Sequence, residues 1–149
     1  MVVDASVARS AGLSDHDRSR ACREFLRWVL NYCHHLAINT DIDKEWKNHQ
    51  SNFARQWRVA MVQKDKVKDL GHQDCSTLKN KIQALELKTS LLRAMQKDAF
   101  LIVAAQAADR VIVSVDNVAR DLFEKHAKQL KTPLGIKWRN PEEEPVPWT

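Results

Sequence analysis

The sequence predicts a single α/β domain, a three-layer sandwich in which a central, mainly parallel sheet of four to five short strands lies between helices. Three observations predict it. Short apolar runs alternate with stretches of helical periodicity, the pattern of successive βαβ units. Residues 111–115 (Val-Ile-Val-Ser-Val) are β-branched and largely apolar on both alternations, as a strand covered on both faces must be. With only three Gly and four Pro among 149 residues, the chain lacks the turns of an all-β fold. The length suits one domain. A hydrophobic content of 44%, with five Trp and four Phe, supplies a core and excludes a disordered chain.

The elements follow in order. Val2 and Val3 form a short buried strand stopped by Asp4. A polar, Ser-rich loop is expected through Ser10, Gly12 and Ser14. Ala21, Phe25, Trp28, Val29, Tyr32 and Leu36 recur at helical spacing and predict a helix over 17–36, with Asp15 and Asp17 as caps. Leu36, Ala37 and Ile38 suit a second strand. A second helix, from about 42 into the low sixties, carries Trp46, Phe53, Ala54, Trp57, Ala60 and Met61 inward. The charged run from Gln63 to Asp69 reads as its solvated end, stopped at Gly71, and 72–76 reads as a loop. A third helix over 77–95 aligns Leu78, Ile82, Leu85, Thr89 and Leu92. A new helix beginning near Asp98 puts Asp98, Leu101, Ile102 and Ala105 on one face. Asp116 ends the strand 111–115. A fifth helix turns Ala119, Leu122, Phe123, His126 and Leu130 inward, and 135–138 is a last strand. Residues 1–139 thus make the domain, and 140–149, with three Pro and three Glu, an extended acidic tail.

The net charge of +5 and pI near 9.2 are compatible with a polyanionic partner but are weak evidence for one. Cys22, Cys33 and Cys75 are odd in number and form no CxxC pair, which argues against a disulfide framework or a zinc site and for buried thiols in a reducing compartment. The sequence has no apolar run of bilayer-spanning length and no basic-then-apolar leader. The expectation is a soluble, cytoplasmic protein with no membrane partner.

Two strands end in Asp, at Asp4 and Asp116. In an open parallel sheet the carboxyl ends of all strands share one edge, and ligands bind in the crevice there. Two acids far apart in sequence are therefore predicted to face one crevice. Asp98, on the sheet-facing side of its helix, and Glu45, in the first turns after the second strand, are predicted to join them. Taken singly, Asp98 reads as a helix cap, Glu45 as a solvated helix residue and Asp116 as a cap of the fifth helix. Gathered at one edge, the four would repel one another unless a cation sat among them, and an all-oxygen donor set suits Mg²⁺ or Mn²⁺.

These residues resemble the PIN-domain (PilT N-terminus) family of metal-dependent nucleases. The resemblance rests on VVDAS at the N-terminus, the EW of DKEWKNH, and KDAFLIVAAQAADRVIVSVDN. In that last segment an Asp precedes an alanine-rich helix, followed by an apolar strand and then by Ser, any residue, Asp. It implies that Asp4, Glu45, Asp98 and Asp116 are both the catalytic residues and the metal ligands, with Ser114 orienting the last acid and Ser6 and Asn117 in support. It also implies an endoribonuclease that hydrolyses phosphodiesters of single-stranded or loop RNA, and frequent homodimerisation. VapC-type toxins, each paired with an antitoxin protein, are the largest group with this pattern. Arg9, Lys44, Lys97 and Arg120 lie near the expected edge and are the candidates for holding phosphates. The alternative is a catalytically silent PIN-like module that binds RNA or a protein. A third reading makes nuclease activity secondary to a protein complex, as in a toxin held by its antitoxin, with exposed apolar residues such as Trp148 and one face of the third helix as the docking surface.

Other constellations carry less. Glu45 and His49 are one helical turn apart but lack the second His of a zincin pattern. Cys33, His34 and His35 have no partners at zinc spacing. Asp4 lacks the Asp two residues later that a haloacid-dehalogenase phosphatase needs, since that position is Ser6. Asp116 lies too late for a response-regulator phosphoacceptor.

Overall fold

The computed structural model describes residues 1–131 and 135–148. Its elements are β1 (Val2–Val3), α1 (Ala5–Ser10), α2 (Asp17–Asn31), β2 (Leu36–Asn39), α3 (Thr40–His49), α4 (Asn52–Gln63), β3 (Val67–Gly71), α5 (Ser76–Gln83), α6 (Thr89–Gln106), β4 (Val111–Val113), α7 (Asn117–Lys125), α8 (Ala127–Leu130) and β5 (Lys137–Arg139). The sheet runs β3-β2-β1-β4-β5 and every pairing is parallel. Helices flank it, so the expected α/β sandwich is the fold observed. After β1 the chain builds outward through β2 and β3, then returns to the other side of β1 for β4 and β5. The order reverses between β1 and β4, which register Val2 against Ile112 and Val3 against Val113. In open α/β sheets that switch point is where a crevice opens.

The three inner strands are buried on both faces, which explains why they read as continuous apolar runs. The core joins these strands to Phe25, Leu26, Trp46, Met61, Met95, Leu101, Ile102 and Phe123, all fully buried. Trp46 is buried and donates its Nε1 hydrogen to the Val3 carbonyl at 2.8 Å, tying α3 to the last residue of β1. The α6 helix packs across β2, β1 and β4.

Several boundaries differ from those predicted. The Ser-rich loop begins as α1, because Val7 and Ala8 have apolar space to fill. The first long helix stops at Asn31, where the Lys66 ammonium donates to the carbonyls of Val29 (2.7 Å), Leu30 (2.8 Å) and Tyr32. His16, not Asp15, occupies its N-cap position, and Asp17 sits in its first turn. The second predicted helix is two helices. Ser51 separates them, its hydroxyl accepting the Ala54 N–H at 3.0 Å as an N-cap. The charged run read as a helix end contains the edge strand β3, which ends at Gly71 with φ +65°. An edge strand with charged side chains is protected against pairing with other chains, and its charge hides its β character from a hydrophobicity reading. The third predicted helix is likewise broken: α5 ends at Gln83 and α6 starts at Thr89. Asp98 therefore lies in the middle of α6 rather than at a helix start.

The C-terminal segment is not extended as expected. Residues 141–143 form a turn, and Trp148 stacks on Phe25 (ring centroids 5.1 Å apart) and meets Trp28 edge-on (5.3 Å). Its indole is thus tucked against α2 and half-buried, not fully exposed as expected. Thr149 lies outside the described residues. Cys22 and Cys75 are buried as expected, whereas Cys33 is exposed, because it follows the end of α2 instead of lying inside it. Among the described residues, no helix is long and apolar enough to cross a membrane.

Candidate functional site

Strand direction delivers the first two acids. Asp4 follows β1 and Asp116 follows β4, at the carboxyl ends of the two strands that flank the switch point. The Asp4 amide donates to the Val113 carbonyl at 2.9 Å, so pairing of the two strands continues up to the acid. Glu45 and Asp98 enter from α3 and α6. All four acids line one cleft, together with Ser6, Arg9, His49, Lys97 and Phe100. The convergence expected from four separate stretches of sequence is what the fold produces.

Two hydroxyls organise this cleft. Ser6 and Ser114 both donate to Asp4 Oδ2, at 2.6 and 2.8 Å. Ser114 Oγ also accepts the Asp116 N–H at 3.0 Å, and Ser6 Oγ accepts the Val115 N–H at 3.3 Å. Ser114 therefore orients both strand-end acids and not only the last. Asp116 N-caps α7, with Oδ1 accepting from the amides of Val118 (3.0 Å) and Ala119 (3.3 Å). The capping role and a place in the cleft coexist, since each carboxylate uses one oxygen structurally. Asp4 Oδ1 and Asp116 Oδ2 have no hydrogen-bond partner among the described residues.

Asp98 shows how closely the charges gather. Its carboxyl is pushed up to about 7, first by burial, then by Asp4, with Asp116 and Glu45 adding and Lys97 opposing. A carboxyl raised by burial among other acids favours a cation beside it. Glu45 Oε2 lies 3.5 Å from His49 Nε2, and His49, read from sequence as a helix-face residue, lines the cleft.

The donor chemistry suits a hard divalent cation. Among the described residues, however, no three His, Cys, Asp or Glu side chains are grouped as a ready-made metal cage.

The cationic candidates separate. Arg9 and Lys97 line the acid cleft, and Lys44 lines an adjoining groove. None of the three makes a hydrogen bond or ion pair among the described residues. Arg120 lines neither space: it is held by Glu143 (2.8 Å) and Asp121 (3.1 Å). Asn117 donates to Glu143 at 2.6 Å and accepts from Asn140 at 2.9 Å, so it anchors the C-terminal turn. Sequence reasoning missed Phe100 and the ordering role of Asn39, although an Asn directly before a helix is an N-cap signal. No family model matches the chain, and no curated protein matches it.

Proposed function

We propose that the chain is a metal-dependent endoribonuclease of the PIN-domain type, acting on single-stranded or loop RNA. The observation that carries this reading is the single cleft lined by Asp4, Glu45, Asp98 and Asp116, with Asp98 raised first by burial and then by its three acidic neighbours. In it, Asp4 and Asp116, each with one oxygen free of hydrogen bonds among the described residues, would hold Mg²⁺ or Mn²⁺ together with Asp98 and Glu45, directly or through the ion's waters. The bound cation supplies Lewis acidity, making water a competent nucleophile near neutral pH and offsetting charge on the phosphate. Ser6 and Ser114 keep Asp4 in one orientation. Arg9 and Lys97, at the rim, bind the phosphates on either side of the bond to be cut. No side-chain nucleophile is required: among the described residues, the carboxylate that both Ser6 and Ser114 bond is Asp4.

A toxin role, with an antitoxin-like protein or a second copy of the chain as partner, is a finer form of the same proposal. The silent module is the second reading, and the lack of a ready-made three-residue cage among the described residues favours it. Incubation with a labelled mixed-sequence RNA in Mg²⁺ or Mn²⁺, with and without chelator, separates the two. Cutting abolished by chelator supports the nuclease; binding without cutting supports the module.

A further inference from the structure

Beside the acid cleft lies a second, larger groove of about 480 Å³, which shares Glu45, Lys97 and Phe100 with it. That volume is in the range of small-molecule sites, about 300–1,000 Å³. We infer that this groove recognises one nucleobase of the RNA next to the bond being cut, with Gln73 and Asp41 reading its edge. The inference rests on the nuclease reading for the class of ligand.

The charge pattern points to a base rather than to a run of phosphates. Lys44, Lys79 and Lys97 line the groove, but so do Asp41, Glu45 and Asp74. A track for backbone phosphates needs cations without interspersed carboxylates. A neutral, flat, hydrogen-bonding ligand does not. Phe100 is half-buried where the two spaces meet and gives the aromatic surface on which a base stacks, which is how unpaired RNA bases are commonly held.

Hydrogen bonding fixes what the groove presents. Asn39 is 1% exposed and N-caps α3, its Oδ1 accepting the Ile42 N–H at 2.8 Å. Its Nδ2 must then point the other way, where it donates to the Phe100 carbonyl (3.1 Å) and to Gln73 Oε1 (3.0 Å). With Gln73 Oε1 so occupied, its amide NH₂ is left as a donor with no partner among the described residues. Asp41, at the start of α3, makes no hydrogen bond among the described residues and offers only acceptors in its ionised form. A fixed donor and a carboxylate together suit a base edge with a carbonyl beside two adjacent N–H groups. Guanine has that edge; adenine has no carbonyl. Lys97, at the boundary, is placed to hold the phosphate between the groove and the acid cleft.

The test is fluorescence anisotropy with labelled uridine hexamers carrying a single A, C or G at the third position, beside the all-uridine hexamer. The protein is the Asp116→Asn variant in Mg²⁺, so that cutting does not confound binding. The guanine-containing hexamer should bind at least about fivefold tighter than the adenine one. Asp41→Asn and Gln73→Ala, each added to that background, should abolish the difference, and Phe100→Leu should weaken all four hexamers. Equal binding of all four, or a preference that survives both Asp41→Asn and Gln73→Ala, overturns the inference. The nuclease reading is judged separately on the wild-type chain. Base discrimination without cutting would remove the nuclease and keep the groove, and cutting without discrimination would do the reverse.

Discussion

The Ser114 hydroxyl donates to Asp4 Oδ2 at 2.8 Å and accepts the Asp116 amide at 3.0 Å, so one side chain at the end of β4 holds both strand-end acids. Ser114 is 4% exposed, and its removal leaves little room for a water to take its place. Ser114→Ala is expected to lower RNA cleavage by about 10–100-fold, the usual effect of losing a group that orients a metal ligand. Stability should fall by only about 1 kcal/mol. Cleavage kinetics and a urea melt on the same preparation check both. An activity loss matched by unfolding would make Ser114 purely structural.

Asp98 gives a pH dependence whose direction is fixed. Burial and the neighbouring acids push its carboxyl up to about 7 in the fold, against about 3.9 in an unfolded chain. The protonated form is therefore favoured by folding. That stabilisation is fully present below about pH 4 and is lost as pH rises through 7. In cation-free buffer, Asp98→Asn should melt at a higher temperature than wild type above pH 7, by an amount equivalent to a few kcal/mol at most. The gap should close toward pH 4. Melting curves across pH 4–8 measure it, and a gap independent of pH would separate Asp98 from the acid cluster. Adding Mg²⁺ at pH 8 should stabilise wild type more than the variant.

Trp46 supports the site from behind, through its bond to the Val3 carbonyl beside Asp4. Trp46→Phe keeps most of the apolar volume but leaves that buried carbonyl without its donor. A cost of about 1–3 kcal/mol is expected, against about 3–5 for Trp46→Ala. Chemical denaturation distinguishes the two, and equal costs would mean that retaining the aromatic volume offsets nothing once the hydrogen bond is lost.

Lys66 closes the open end of α2 on three carbonyls. Lys66→Met retains much of the stem and removes the donors, so a loss of about 1–2 kcal/mol is expected, comparable to a lost helix cap. Hydrogen exchange should report it first in the amides of the last turn of α2. Unchanged exchange there would show that solvent caps those carbonyls equally well.

The sequence carried the sheet and the acids more clearly than it carried helix boundaries, for physical reasons. Doubly buried strands such as β1 and β4 are apolar throughout, so they stand out, and the chain that follows each supplies an acid to the carboxyl edge. The edge strand β3 is covered less, so its Lys68 and Asp69 tolerate charge and hide it. The helix breaks at Ser51 and after Gln83 leave the inward stripe nearly continuous, so periodicity reads through them. In the cleft, strand ends and helix faces pointed to the four acids, and the family resemblance to Ser114. The second bond of Ser114 to Asp4, the occupation of Arg120 by Glu143, and the orientation of Gln73 by Asn39 all join residues at least 23 positions apart. Nothing local in the sequence marks such pairs.

The most direct measurement is the single-turnover cleavage rate of a labelled mixed-sequence single-stranded RNA in Mg²⁺, for wild type beside Asp4→Asn and Asp116→Asn. Wild type is predicted to cut in a reaction that chelator stops, and each variant to lose at least about 100-fold with its melting temperature largely kept. No metal-dependent cutting by wild type, or undiminished cutting by both variants, would contradict the metal-nuclease reading of the four-acid cleft.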